Sequence, residues 1–252
     1  MMKEEKIKYY LSIILILLPL LSFSQRWKLQ RLEVAAGIGS AHYFGDIGGT
    51  ADENNLFGLK DISIKYTRPN LNFGGRYRIT EEFDVKANLA FGYLEASDEN
   101  SRNEARNYAF SSSVFELSGQ VEYNIIPEKR PRTYSVMALR DGLRTFDRTL
   151  NTYVFAGLGG IYFNPKPLAD LEGSERFNDD KHFGLIIPFG VGVKYPLNSQ
   201  LYVGFELGGR WAASDYLDGL TTQFSEANDI YYFTLLNVIL KIDTSKRGRF
   251  NF

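Results

Sequence analysis

Long stretches of this chain alternate apolar and polar residues at every second position, and that period constrains its fold more than any other feature. From Pro69 to Ile79, Leu71, Phe73, Tyr77 and Ile79 alternate with Asn70, Asn72, Arg76 and Arg78. After the short turn Thr80-Glu81-Glu82, Phe83, Val85, Ala87, Leu89, Phe91 and Tyr93 oppose Asp84, Lys86 and Asn88. The clearest run is Phe115 to Ile125, where Phe115, Leu117, Val121, Tyr123 and Ile125 alternate with Glu116, Ser118, Gln120, Glu122 and Asn124. A helix with 3.6 residues per turn scatters such a pattern around its circumference, whereas a strand puts all the apolar groups on one side.

Similar runs cover Leu32 to Phe44, Tyr153 to Phe163, Phe183 to Tyr195, Leu201 to Trp211 and Tyr231 to Ile242. That makes about eight strands, each near or above the roughly 9–11 residues that cross a bilayer. The segments between them alternate in length. Asp46 to Thr67, Ala96 to Asn107, Asn164 to His182 and Ala213 to Asn228 are long and polar, while Thr80 to Glu82 and Pro196 to Gln200 are short. The expected fold class is therefore all-β: a transmembrane antiparallel β-barrel of about eight strands, closed and plugged by its own side chains. Aromatics at 15% and 23 glycines against 8 prolines suit strands and turns. Tyr43, Tyr93, Tyr123, Tyr153, Tyr162, Tyr195 and Trp211 lie near strand ends, where headgroup-level girdles belong. The alternative is a soluble sandwich or lipocalin-like barrel, which would bury Phe115, Leu117 and Val121 in its centre.

At the N-terminus, Lys3, Lys6 and Lys8 precede the apolar stretch Tyr9 to Leu21, and Ser22-Phe23-Ser24 stands before Gln25. This reads as a signal peptide over residues 1–24, cleaved after Ser24, with the barrel domain occupying 25–252. The apolar run is shorter than a spanning helix needs, and Pro19 interrupts it. The chain has no cysteine, which excludes disulfides, thiolate metal sites, Cys nucleophiles and a lipidated N-terminal Cys. Export without such an anchor or a later long apolar run leaves the periplasm, secretion or a membrane-held closed sheet, and the strands favour the last, in the outer membrane with outer-membrane lipid as partner. A net charge of −1 gives no reason to expect nucleic acid.

With the apolar faces towards lipid, the lumen receives Arg76, Arg78, Lys86, Lys194, Arg210 and Lys241 together with Glu33, Asp84, Glu116, Glu122 and Glu206. A barrel of this size has room for little beyond its side chains, so these charges are expected to pair across it. The connection Ile126 to Thr152 is the exception among the inner segments. It is long and carries Lys129, Arg130, Arg132, Arg140, Arg144 and Arg148, with Leu139, Leu143, Phe146 and Leu150 at helical spacing. It reads either as a solvated loop with a short surface helix or as a periplasmic docking element, in which Arg140, Arg144 and Arg148 would meet an acidic, partly apolar groove.

No catalytic, cofactor or metal site is expected, and no small-molecule substrate. The two histidines, His42 and His182, lie outside metal-ligand spacing. Ser40 and His42 share one predicted face and are the only pair that invites a hydrolytic reading. Gly157-Leu158-Gly159-Gly160 lacks the helix and the Lys-Ser or Lys-Thr of a phosphate loop. Asp215-Tyr216-Leu217-Asp218 reads as a turn whose acids accept backbone hydrogen bonds, with calcium as the less favoured ligand.

Five local signatures run in order along the chain: Ala41-His42-Tyr43-Phe44-Gly45-Asp46-Ile47; Arg106-Asn107-Tyr108-Ala109-Phe110; Phe155-Ala156-Gly157 leading to Phe163-Asn164-Pro165; Pro188-Phe189-Gly190-Val191-Gly192-Val193-Lys194-Tyr195; and Asp215-Tyr216-Leu217-Asp218. Together they resemble a family of Bacteroidetes outer-membrane proteins that includes PorG, a component of type IX protein secretion. The sequence departs from the pattern after Asp218, where Gly219-Leu220 replaces an acid and a β-branched residue. The resemblance implies a non-enzymatic barrel that serves as a structural or docking component of an envelope machine, with periplasmic ring proteins of the secretion apparatus as partners. A small lipid- or ligand-handling barrel and a narrow channel are the rival expectations.

Overall fold

The computed structural model describes residues 31–45, 47–48, 64–99, 101, 103–128, 149–178, 181–198, 200–214, 216–220 and 229–242. The leader expected at 1–24 lies outside them, as do Arg140, Arg144, Arg148 and Asp215. Eight strands form one sheet: β1 (Leu32–Phe44), β2 (Arg68–Arg78), β3 (Phe83–Ser97), β4 (Tyr108–Ile126), β5 (Asn151–Ala169), β6 (Phe183–Pro196), β7 (Leu201–Ala212) and β8 (Ile230–Ile242). Each pairs antiparallel with its neighbours in sequence, and β1 pairs with β8 from Leu32↔Ile242 to Phe44↔Ile230, so the sheet closes into a barrel with no free edge.

Side-chain chemistry sets the two tight hairpins. Thr80 Oγ1 accepts hydrogen bonds from the Glu82 and Phe83 amides at 3.3 and 2.9 Å, turning β2 into β3. Asn198 Oδ1 accepts from the Gln200 and Leu201 amides at 2.9 and 2.7 Å between β6 and β7. Polar side chains next to their own backbone favour such turns. Both hairpins lie at the end of the barrel where β1 starts and β8 finishes, called here the inner end.

The direction of the apolar face decides between a membrane barrel and a soluble one. Phe115, Leu117 and Val121 are 47%, 57% and 51% exposed, while Glu116 and Glu122, their immediate neighbours on β4, are fully buried. The same inversion runs round the sheet: Phe73, Leu158, Leu185, Phe205, Leu236 and Val238 face outward. A soluble barrel would reverse both sets. From Phe115 to Ile125 the outward apolar run covers ten steps of about 3.4 Å, or about 34 Å along the strand. A strand tilt of about 40° projects this to about 26 Å, close to the roughly 25 Å apolar band of a transmembrane barrel.

Two girdle assignments are corrected. Tyr93, Tyr123, Tyr162 and Tyr195 face outward and are exposed, but Tyr43 and Tyr153 are buried inside. Each sits in phase with inward residues of its strand, Tyr43 with Ala41 and Tyr153 with Asn151 and Phe155. Two outer connections, expected at Ala96 to Asn107 and Asn164 to His182, are also shorter than expected, because β3 and β5 continue above the band against the start of β4. β3 extends to Ser97, β4 begins at Tyr108 and β5 runs to Ala169, pairing through Glu95↔Ser111 and Ser113↔Asn164. On this raised wall most outward positions are polar, namely Glu95, Ser111, Ser113, Asn164 and Lys166, with the paired Ala109 and Leu168 as apolar exceptions.

Candidate functional site

The lumen is the largest concentration of buried charge, and its chemistry changes in layers from the inner end outwards. In the inner layer, Arg76 binds Glu122 through Nε and Nη2 at 2.5 and 2.9 Å and reaches Glu33 with Nη1 at 3.0 Å. Glu33 is a hub: Arg78, Lys194 and Lys241 also approach it, at 3.4, 3.5 and 3.8 Å. Arg78 Nε donates to Asp84 at 3.1 Å, and Lys194 lies 3.7 Å from that carboxylate. Lys86 spans the barrel to Glu206 at 2.7 Å, where the Tyr153 hydroxyl also donates at 2.9 Å. Glu128, just past β4, folds back over the inner mouth to Lys241, Tyr202 and Arg78. Burial opposes its ionisation, but Lys241 and Arg78 outweigh burial and hold the carboxyl below its ordinary value of 4.5.

Above this layer stand amides and small residues. Asn72 donates to Asn88 at 2.8 Å, and Gln120 donates to Ser118 at 3.2 Å, which in turn donates to Glu116 at 2.9 Å. Glu116 also receives Arg210 Nε at 3.2 Å and the Tyr231 hydroxyl at 3.1 Å. Arg210 is fully buried, donates Nη1 to the Gly208 carbonyl at 2.7 Å and stacks its guanidinium 4.4 Å from the Phe233 ring centre.

The outer third of the interior is apolar. Leu94, Phe110, Val114, Ile161, Phe163, Ile186 and Phe233 point inward from the strands, and Ile47, Leu171, Leu217 and Leu220 descend onto them from the connections. Two carboxylates fasten this plug. Tyr43 Oη contacts Asp218 Oδ2 at 3.0 Å and Asp229 Oδ1 at 2.5 Å, while Asp218 and Asp229 accept the Leu220 and Leu217 amides at 2.9 and 3.1 Å. Gly219, with φ +72°, lets the chain turn against Phe177; a Cβ there would stand 2.4 Å from the ring. Asp98 anchors the neighbouring wall by accepting from Arg106, the Gly48 amide and the Tyr108 amide.

The structure thus brings Arg76 and Glu122 together, joins Arg210 to Glu116, and places Arg78 and Glu206 in the same ionic layer. Of the motif ending at Asp218, Tyr216 packs against the plug, Leu217 is buried within it, and Asp218 turns inward to Tyr43. Sequence reading missed the apolar plug, whose signal was the scatter of Ile47, Leu171, Leu217 and Leu220 through otherwise polar segments. It also missed Glu128, Tyr202 and Asp229. Ser40 and His42 face outward near the outer end, with Oγ and Nε2 3.1 Å apart. Thr67 Oγ1 stands 3.3 Å from Nδ1, where a hydrolytic imidazole is oriented by a carboxylate. Among the described residues, no three metal-ligating side chains converge.

Solved structures similar to this one include outer-membrane proteins. Neisserial surface protein A is 10% identical with a TM-score of 0.44, covering 84% of this chain and 97% of its own. The outer membrane protein OprG from Pseudomonas aeruginosa is 8% identical with a TM-score of 0.40, over 84% of this chain and 93% of its own. A major outer membrane protein from Thermus thermophilus is 12% identical with a TM-score of 0.40, over 83% of this chain and 99% of its own. At these values the likeness adds nothing to the fold already described, which rests on the closed ladder itself. No curated protein matches the sequence. A family model described as a domain of unknown function, DUF6089, matches residues 8–238, and the chain belongs to that family.

Proposed function

We propose that the protein is a non-enzymatic barrel of the outer membrane that acts as a structural or docking component of an envelope machine, with type IX protein secretion as the machine its PorG-like signatures favour. The observation that carries this reading is the filled lumen: an ionic layer at the inner end and an apolar plug at the outer end leave the surfaces to act. The basic connection between β4 and β5, with Arg140, Arg144 and Arg148, supplies the docking element. It leaves the barrel at Glu128, which is fastened across the inner mouth. The partner is a periplasmic protein offering an acidic, partly apolar groove.

Photo-crosslinking from position 140 or 144 in intact cells tests the proposal. Capture of a defined periplasmic protein, lost when Arg140, Arg144 and Arg148 are replaced by Glu, is the expected result; absence of any crosslinked partner would end the docking reading. A second reading, lipid handling at the outer rim, is favoured by the outward Ser40–His42 contact at 3.1 Å. Altered lipid A in a Ser40→Ala strain would select it.

A further inference from the structure

The connection that leaves β4 is fastened over the inner mouth from its second residue. Glu128 follows Ile126, the end of β4, by two positions, and its carboxylate meets Arg78 on β2, Tyr202 on β7 and Lys241 on β8. None of these strands is a ladder neighbour of β4. The donors divide the carboxylate between them: Tyr202 Oη donates to Oε1, while Lys241 Nζ and Arg78 Nη1, the latter at 3.3 Å, donate to Oε2. Lys241 Nζ also donates to Tyr202 Oη at 3.1 Å, so the donors hold one another in place. Two cations and a hydroxyl aimed at one point form a carboxylate clamp.

The strands alone leave this end of the lumen one positive charge in excess. They bring Arg76, Arg78, Lys86, Lys194 and Lys241 but only Glu33, Asp84, Glu122 and Glu206, and Glu128, from a connection, makes up the difference. It is also the carboxylate of the layer most open to solvent: its side chain is 15% exposed, against 3% or less for the other four. Withdrawing a strand carboxylate would strand buried cations without a partner. Exchanging Glu128 for a carboxylate from another molecule keeps both the hydrogen bonds and the neutrality.

We propose that the inner mouth is a carboxylate-binding site that Glu128 occupies in cis, and that an acidic segment of a periplasmic partner takes its place, with Arg78, Tyr202 and Lys241 as the donors. The site stands on the contacts above; the choice of a periplasmic protein as its occupant rests on the docking reading. Exchange releases Glu128, and with it the start of the β4–β5 connection, from β2, β7 and β8. Because Glu128 competes, the site is open only in the fraction of molecules from which it has withdrawn, and the partner's apparent affinity is reduced by that fraction.

The full barrel in lipid nanodiscs, with both ends open to the buffer, tests the site with acetate as the probe. Glu128→Ala empties the clamp and should lower the urea midpoint and the folded fraction on unheated gels. Acetate should raise both towards wild type and saturate, whereas chloride at equal ionic strength should not. Glu128→Gln removes the same charge but fills the same room, so acetate should leave its midpoint unchanged. The double variant Glu128→Ala with Lys241→Met is neutral and lacks a donor, and should be equally indifferent. An acetate response no larger than that of chloride, or one of equal size in Glu128→Gln, would overturn the site. A tetraglutamate peptide tests the exchange: it should bind Glu128→Ala about tenfold tighter than wild type, or more. Equal binding to both proteins, or binding to neither, would overturn the exchange. Crosslinking from positions 140 and 144 is read independently, so failure of the docking reading would leave the acetate response standing.

Discussion

Replacing Glu33 by Gln is the sharpest perturbation of the ionic layer, because four cations converge on that one carboxylate at 3.0 to 3.8 Å. The layer is neutral as built: Arg76, Arg78, Lys86, Lys194 and Lys241 stand against Glu33, Asp84, Glu122, Glu128 and Glu206. Glutamine keeps the shape of the side chain and leaves one positive charge in excess within the lumen. Removing one partner of a buried pair costs about 3–5 kcal/mol, most of it the desolvated charge left behind. Against a total stability of about 5–15 kcal/mol, this should pull the urea midpoint of the vesicle-embedded barrel down by a large fraction and abolish its folded mobility on unheated gels. Adding Lys194→Met restores neutrality, so the double variant should recover at least about 1 kcal/mol relative to additive losses. A Glu33→Gln barrel within about 0.5 kcal/mol of wild type, or a double variant as unstable as the sum of its parts, would refute the reasoning.

Depth in the bilayer is tested by two arginines on β4: Leu117→Arg, in the outward apolar band, should cost about 2–4 kcal/mol, whereas Ser111→Arg on the raised wall should cost nearly nothing. Equal costs in urea unfolding from vesicles would contradict the placement of the band. Glu128 gives a pH dependence. Its carboxyl is held below 4.5 by Lys241 and Arg78 in the folded state against the pull of burial. The stability it contributes is therefore complete above 4.5 and is lost as pH falls through the lower folded value. Urea midpoints of wild type and Glu128→Gln should differ at about pH 7 and converge as the pH is taken below 4.5; a difference that grows with acid would reverse the assignment.

How much of this was legible depends on where contrast between faces survives. β1 was readable to the residue and the run at Phe183 located its strand, though each carries a single inward charge, Glu33 and Lys194; the run at Phe115 was readable because lipid outside and charge inside make period two unmistakable. The start of β4 was not, since Tyr108 to Val114 stands above the hydrocarbon with serines on both faces. β8 was placed to within one residue, as Tyr231 to Ile242, although its outer half, Tyr231 to Leu236, is apolar or aromatic at nearly every position, with lipid on one side and the plug on the other. The lumen's charged membership followed from phase alone. Its pairing did not, because Lys86 meets Glu206 and Arg210 meets Glu116 across the barrel, and the meeting of Tyr43 with Asp218 and Asp229 depends on connections whose paths no local pattern encodes.

The seam between β1 and β8 joins the first strand to the last, and Glu33 sits in it beside its ladder partner Lys241. Seven of the eight ladders can form from hairpin partners already close in sequence, yet the carboxylate that gathers cations from β2, β6 and β8 reaches the last of them only when the circle shuts. A half-rolled sheet would carry its ionisable groups into the bilayer uncompensated, so insertion and closure must occur as one concerted event, with charge neutrality rewarding only the finished ring.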